Sequence, residues 1–108
     1  MRPPFRYAAW LELIQAAARF ELMKPDGGAS FIAEVARLHD LLSTQPAMGQ
    51  KLDAEFREFP LKGFHYSLVY RMEEGVVISA IVDSRRRPDY WRTNTAWVRE
   101  PSVPYMAA

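Results

Sequence analysis

The residues best suited to chemistry in this chain are arginines that lie in, or directly after, three β-rich runs. Arg57 lies in the first run and Arg71 ends the second, while the triplet Arg85–Arg87 follows the third and precedes Tyr90 and Trp91. Because an unpaired charge is costly to bury, three adjacent arginines must lie near a surface. Guanidinium groups bind phosphate and carboxylate, and aromatic rings can stack on bases. The pattern indicates a basic patch for an anionic partner.

The same arginines have a second interpretation, in which they have no binding function. Arg57 and Arg71 would then form ion pairs with nearby carboxylates, and the triplet would be a solvated strand end. The carboxylates available for such pairs are Glu58, Glu73 and Asp83. The residues alone leave both interpretations open.

Other catalytic mechanisms lack the residue arrangements that they require. Neither His39 nor His65 has partners in an HExxH-like register, and the chain has no cysteine. There is no Walker loop, and no serine occupies a nucleophile elbow. The sequence therefore predicts no metal site, no cofactor and no conventional hydrolase chemistry.

The composition is typical of a single soluble globular domain. The chain has 108 residues, of which 49% are hydrophobic and 25% charged, and its net charge is +1. No apolar run approaches the roughly 20 residues needed to cross a bilayer, and the first residues do not resemble a signal peptide. We therefore expect a cytoplasmic protein without membrane association.

Two amphipathic helices are predicted in the first half of the chain. After Ala8, apolar residues recur at helical spacing: Trp10, Leu13, Ile14, Ala17 and Phe20. A turn over Pro25–Gly28 ends this helix, and a second apolar stripe follows: Phe31, Ile32, Val35, Leu38 and Leu42. The short connection favours a helical hairpin whose apolar faces need a partner.

Three strands are predicted in the second half. Ala54–Lys62 is the first, and the runs Phe64–Arg71 and Val76–Val82 form a hairpin around a short turn. Strict alternation in the last strand, which we expect to be the most buried, places four side chains on one face: Val76, Ile78, Ala80 and Val82. Since neighbouring strands lie about 4.8 Å apart, we expect the arginines to converge on one face and edge of the sheet.

These elements predict an α+β fold, with an N-terminal helical hairpin packed on a small antiparallel sheet of about three strands. Residues 1–92 are expected to form a single domain. Residues 93–108 have no strong periodicity and are expected to form a partly ordered tail. The opening residues are poor strand material because Pro3 and Pro4 cannot donate to a ladder.

Three segments also resemble, in order and spacing, the RelE/ParE superfamily of type II toxin–antitoxin toxins, especially its ParE-like, plasmid-stabilisation branch. AAWLELIQAAARFELMKPDGGASFIAEV resembles the family's helical hairpin, with Phe20-Glu21 before the turn. FREFPLKGFHYSLVYR is similar to its central strand pair, and ISAIVDSRRRPDYWRT to its closing strand with paired arginines. The resemblance covers about Ala8 to Arg92 and implies a first strand that is here short or missing.

The resemblance also implies a function and a set of site residues. A ParE-like protein binds and poisons DNA gyrase without covalent chemistry of its own, whereas a RelE-like protein cleaves mRNA in the ribosomal A site. Both imply a cognate antitoxin that masks apolar and basic surfaces. The residues implied in toxicity or target binding are Arg57, Arg71, Arg85, Arg86, Arg87, Tyr90 and Trp91.

Gyrase binding is the favoured of these alternatives, because no histidine or glutamate is expected at the arginine cluster. Asp83 stands where a histidine is common in the family, which removes a candidate acid or base. If the chain were a ribosome-dependent endoribonuclease, its catalytic residues would be Arg57, Arg71, Arg86 and Tyr90. A third alternative is a decayed toxin that acts only as a binding module.

Overall fold

The computed structural model describes residues 5–86, Trp91 and residues 102–103. Two helices, α1 (Tyr7–Met23) and α2 (Gly27–Thr44), are joined by a short turn and pack on each other, which confirms the predicted helical hairpin. Within the described residues, neither helix combines the length and the hydrophobicity needed to span a membrane.

The N-terminus of α2 is held by Glu21 of α1. The two carboxylate oxygens of Glu21 accept hydrogen bonds from the N–H groups of Asp26 and Gly28, each at 3.1 Å. The first N–H groups of a helix have no partner within the helix, and a negative charge is favourable beside them. The Phe20-Glu21 pair of the sequence thus has a physical role, since Phe20 packs against the core and Glu21 caps the next helix.

Six strands form one mixed sheet among the described residues, in the order β2-β3-β4-β5-β1-β6. Their bounds are β1 (Phe5–Arg6), β2 (Gln50–Lys51), β3 (Arg57–Leu61), β4 (Tyr66–Met72), β5 (Val76–Asp83) and β6 (Ser102–Val103). The α+β class and the three predicted strands are confirmed as β3, β4 and β5. The predicted number of about three strands is too low, since five strands lie between residues 5 and 83 alone. Strands of two residues were missed because they are too short to show a periodicity.

The sheet is mixed because β1 runs parallel to β5, with Phe5 opposite Ile78. The first strand is therefore short but present, although it covers only a small part of the β5 edge. β6 pairs with the other side of β1. Seven of the eight residues of β5 are buried, and this strand lies between β4 and β1, which confirms the expectation that it is the most buried strand.

The predicted hairpin of β4 and β5 is confirmed, but a bulge interrupts the alternation of β5. The ladder leaves Ser79 without an opposite residue. An extra residue of this kind reverses the faces of the side chains that follow it. Ala80 and Val82 consequently pack on the face away from the helices, whereas Val76 and Ile78 face the helices. The expectation that these four side chains share one face is wrong.

An aromatic cluster joins the helical hairpin to the sheet. Phe20, Phe31, Phe64 and Tyr66 have ring centroids 5.0 to 5.7 Å apart, mostly in edge-to-face contact. This arrangement is favourable because the positive edge of one ring meets the negative face of another. The stripe predicted for α1 is wrong at Ile14, which is 45% exposed.

Ile14 belongs to a second apolar stripe, on the outward side of α1. Four of its exposed large residues lie four, three and eight positions apart, spacings that keep them on one side of the helix: Tyr7, Leu11, Ile14 and Leu22. We call them the outer stripe. Three polar side chains of the same helix bond within the domain: Glu12, Arg19 and Glu21. A helix with apolar residues on two opposite sides is typically covered by other protein groups on both sides.

Candidate functional site

A cleft of about 400 Å³ opens at the end of the sheet where β3 begins and β4 ends. We call it the β3–β4 cleft. Its charged lining residues are Lys51, Asp53, Glu55, Arg57 and Arg71. The ladder pairs Arg57 with Tyr70, so Arg57 and Arg71 occupy neighbouring positions on adjacent strands. Alternation along β4 places Arg71 on the opposite face of the sheet from Tyr70 and Arg57. The predicted convergence on one edge is confirmed for these two arginines, but the predicted convergence on one face is wrong.

Arg57 is held by backbone carbonyl groups. Its Nη1 donates to the carbonyl oxygens of Gly49 at 2.8 Å and Ala47 at 3.3 Å. Among the described residues it forms no ion pair, so the alternative in which a carboxylate neutralises Arg57 does not hold there. Beside the cleft, no carboxylate among the described residues forms an ion pair with this guanidinium.

The turn that holds Arg57 is itself anchored by Tyr70. The Tyr70 hydroxyl donates to the carbonyl oxygen of Pro46 at 2.7 Å and accepts from the N–H of Gly49 at 2.9 Å. Burial raises the pKa of Tyr70, although the Gly49 N–H and the charge of Arg57 partly oppose the shift. Tyr70 therefore stays protonated at neutral pH and serves as an anchor rather than as a base.

Gly49→Ala tests this anchor. A Cβ on Gly49 would lie 2.3 Å from the Tyr70 hydroxyl oxygen, so either the turn or the ring must move. We expect the free energy of unfolding to fall by about 1 to 3 kcal/mol, as for other overpacked sites. Chemical denaturation measures the loss, and Met48→Ala, at an exposed position of the same turn, is the control. Unchanged stability of the Gly49 variant would contradict the close contact.

Arg71 belongs to an ion-pair cluster beside the same cleft. Its Cζ lies 5.8 Å from the ring centroid of Phe56, and its guanidinium pairs with both Glu55 and Glu73. Glu73 also lies 3.9 Å from Arg6 of β1. Burial, together with the charge of Arg71, lowers the pKa of Arg6. The alternative in which Arg71 pairs with Glu73 is confirmed.

Glu55 is a site residue that sequence reasoning missed. It lies in the loop before β3, where no periodicity indicates a direction for its side chain. Asp53 organises this loop, since its Oδ1 accepts the N–H groups of Glu55 and Phe56, both at 2.8 Å. The one signal in the sequence that could have predicted this turn is Asp53, because an aspartate side chain often accepts the N–H groups of the residues two and three positions after it.

Trp91 does not have the base-stacking role suggested by the sequence. Its side chain is 3% exposed and meets the Phe56 ring edge to face, with centroids 5.2 Å apart. A ring that is buried in this way cannot stack on a base. Trp91 instead supports the ring over which Arg71 lies. Its predicted neighbours Arg87 and Tyr90 lie outside the described residues.

Arg85 and Arg86 lie at the opposite end of the β4–β5 hairpin from the cleft. Arg71 is opposite Val77, near the start of β5, whereas these two arginines follow Asp83 at its end. The intervening six residues of strand span roughly 20 Å. The expected convergence of all the arginines is therefore wrong, because the antiparallel hairpin places its two ends far apart.

Asp83 neutralises much of the charge of Arg85. The Nε and Nη2 atoms of Arg85 donate to the two carboxylate oxygens, each at 3.1 Å, and the Arg85 N–H donates at 2.9 Å. The hydrogen bond from the Arg85 side chain is the main reason that the pKa of Asp83 is lowered. Asp83 therefore offsets part of the positive charge at this end of β5.

Two titratable residues lie near this second end, contrary to the expectation that none would. His65 is in the turn before β4 rather than in the strand, and its carbonyl oxygen accepts the N–H of Ser84 at 2.9 Å. Glu12 of α1 lies in the field of Arg86. Among the described residues, no three side chains of the metal-binding types form a group that could hold a metal ion.

Glu12 supplies an acceptor that a longer β1 would have provided. Its Oε1 accepts the N–H of Ile81 at 2.9 Å, three residues beyond the point where β1 pairs with β5. Burial raises the pKa of Glu12 to about 7, while the Ile81 N–H and the charge of Arg86 oppose the shift. Sequence reasoning missed this residue because a polar position in an amphipathic helix normally faces solvent.

Comparison with known proteins adds a family match to this geometry. A family model described as the ParE toxin of type II toxin–antitoxin system, parDE, matches residues 9–88. That range includes most of α1, all of α2 and the strands that carry Arg57 and Arg71. No curated protein and no solved structure matches the chain.

Proposed function

The chain belongs to the ParE toxin family of type II toxin–antitoxin systems, and from this premise we propose that it arrests growth by binding and poisoning DNA gyrase. In this proposal the chain performs no covalent chemistry. Arg57 and Arg71 contact the target from the β3–β4 cleft. Arg85 and Arg86 extend the contact from the other end of the hairpin, and Arg87 and Tyr90 are proposed to contribute to target binding.

The separation of the arginines is the observation that favours gyrase binding over RNA cleavage. A nuclease of the RelE type would need Arg57, Arg71 and Arg86 around one scissile phosphate, because the developing charge must be stabilised at close range. Arg86 instead lies at the other end of the hairpin from the cleft. Cations that are spread over roughly 20 Å can contact a broad protein surface, but they cannot all stabilise the charge on a single reacting phosphate.

A ribosome-dependent mRNA endonuclease is the second candidate, and one observation favours it. His65 lies in the turn beside Ser84 and Arg85. A histidine can transfer a proton near neutral pH, and adjacent arginines can stabilise a charged phosphate. This candidate would place the chemistry at the end of β5 and leave the β3–β4 cleft without a catalytic role.

Two assays on the purified chain separate the candidates. We expect inhibition of gyrase-catalysed DNA supercoiling and no cleavage of mRNA in the A site of purified ribosomes. Cuts in A-site mRNA, with supercoiling unaffected, would overturn the proposal and favour the second candidate. A preparation of the chain saturated with its antitoxin is the matched control, since masking should suppress the genuine activity.

An antitoxin partner follows from family membership, and we propose that it covers the outer stripe of α1 as well as the basic surfaces. The outer stripe supports this proposal because its four large apolar side chains are exposed in the chain on its own. Induction of the chain without antitoxin should arrest growth. Unimpaired growth at good expression would instead favour a decayed toxin that acts only as a binding module.

A further inference from the structure

We propose that the carboxylate of Glu55 occupies, in the free chain, a position in the β3–β4 cleft that an acidic side chain of the protein target takes on binding. The identity of that target as gyrase rests on the proposed function. The preference of the cleft for a carboxylate is independent of the proposed function, because it follows from the contacts of Arg71.

Arg71 is arranged as a receptor for carboxylates. Its guanidinium lies over the Phe56 ring and already pairs with two glutamates. Its Nε atom is buried and has no acceptor among the described residues. A buried donor without an acceptor is unfavourable, so the present contacts leave part of the binding capacity of Arg71 unused.

Of the two glutamates on Arg71, Glu55 is the one that can leave. Glu73 is shared with Arg6, whose side chain is only 13% exposed, so its removal would take an ion-pair partner from two cations that have little contact with water. Glu55 lies in a surface loop, its side chain is 57% exposed, and Arg71 is its ion-pair partner among the described residues. Rotation of one exposed side chain would therefore open the position without disturbing the core.

The charge balance around the cleft favours a carboxylate over a nucleic acid. Three cations, Lys51, Arg57 and Arg71, line the cleft together with Asp53 and Glu55. Glu73, which is not among the lining residues, also pairs with Arg71. One carboxylate that replaces another leaves this balance unchanged. A phosphodiester chain would bring several negative charges towards Asp53 and Glu73, which repel them. The geometry therefore fits an aspartate or glutamate of a protein.

Glu55→Gln tests the exchange, with N-acetylated hexaglutamate as the probe. Removal of the internal competitor should tighten peptide binding about fivefold, the size expected for the loss of one partly exposed ion pair. Isothermal titration measures the affinity, and the NMR signal of the Arg71 Nε–H reports whether the peptide reaches this residue. Glu58→Gln is the matched control, because it also removes one negative charge, but from a residue of β3 that does not line the cleft.

Three results would overturn the proposal. Wild type and Glu55→Gln could bind the peptide equally, Glu58→Gln could gain as much as Glu55→Gln, or inorganic phosphate or a short single-stranded RNA could bind more tightly than the peptide. Thermal unfolding of each variant verifies that it is folded. Because the assay uses neither gyrase nor cells, it can fail while gyrase inhibition persists, and it can succeed in a chain that does not inhibit gyrase.

Discussion

Alanine in place of Arg57, Arg71 or Arg86 is expected to abolish growth arrest when the chain is induced without its antitoxin. Removal of one partner of a buried, hydrogen-bonded charge pair from a protein interface costs about 2 to 5 kcal/mol of binding free energy. This corresponds to a loss of affinity of roughly thirtyfold or more. Arg57 is expected to show the clearest effect, because among the described residues no carboxylate neutralises its charge.

The control for this experiment is Arg37→Ala. Arg37 is an exposed arginine of α2 that pairs with Glu34, and it lies outside the cleft lining. Its loss should leave growth arrest intact. Arg71→Lys accompanies Arg71→Ala, since it keeps a positive charge for Glu73 if alanine prevents folding. Growth arrest that survives all three alanine substitutions would show that the basic patch is only a solvated surface.

Glu12→Gln is expected to make the folded chain more stable at pH 8 and to flatten the decline of its stability with rising pH between about pH 5 and 8. Burial raises the pKa of Glu12 from 4.5 to about 7 in the folded chain. In that window the folded chain keeps a proton that the unfolded chain has released, so stability falls as pH rises. The shift corresponds to at most about 3 kcal/mol.

Glutamine suits this position because its side-chain oxygen can still accept the Ile81 N–H without a charge. Urea denaturation at several pH values measures the free energy of unfolding of both proteins. Glu74→Gln, in the exposed turn between β4 and β5, is the control for the loss of a carboxylate. Parallel pH profiles for wild type and Glu12→Gln would show that this carboxylate does not govern the pH dependence.

The longer elements of this fold were predictable because each carries its own periodicity. The apolar stripe of α2 and the alternating residues of β4 follow from local sequence, as does the hairpin turn with Gly75 at a φ of 126°. The short strands were not predictable in this way. β1 has two residues, and its pairing with β5 depends on contacts between distant parts of the chain.

The arginines show the same division at the level of the site. Their positions in or beside strands, and the pairing of Arg71 with Glu73, could be anticipated from residue types and alternation. The strand register placed Arg57 and Arg71 at one cleft and Arg85 at the opposite end of the hairpin. Local sequence does not specify which residues face each other across a ladder, so it could not separate these groups.

Residue types and their order were thus sufficient to indicate the fold class, the toxin family and the set of candidate arginines. Tertiary packing was needed to identify Glu55 as a partner of Arg71, to bury Trp91 under Phe56 and to raise the pKa of Glu12. The physical reason is that periodicity records only which side of an element is buried. Ion pairs, burial and electrostatic shifts depend on neighbours that lie tens of residues away in the chain.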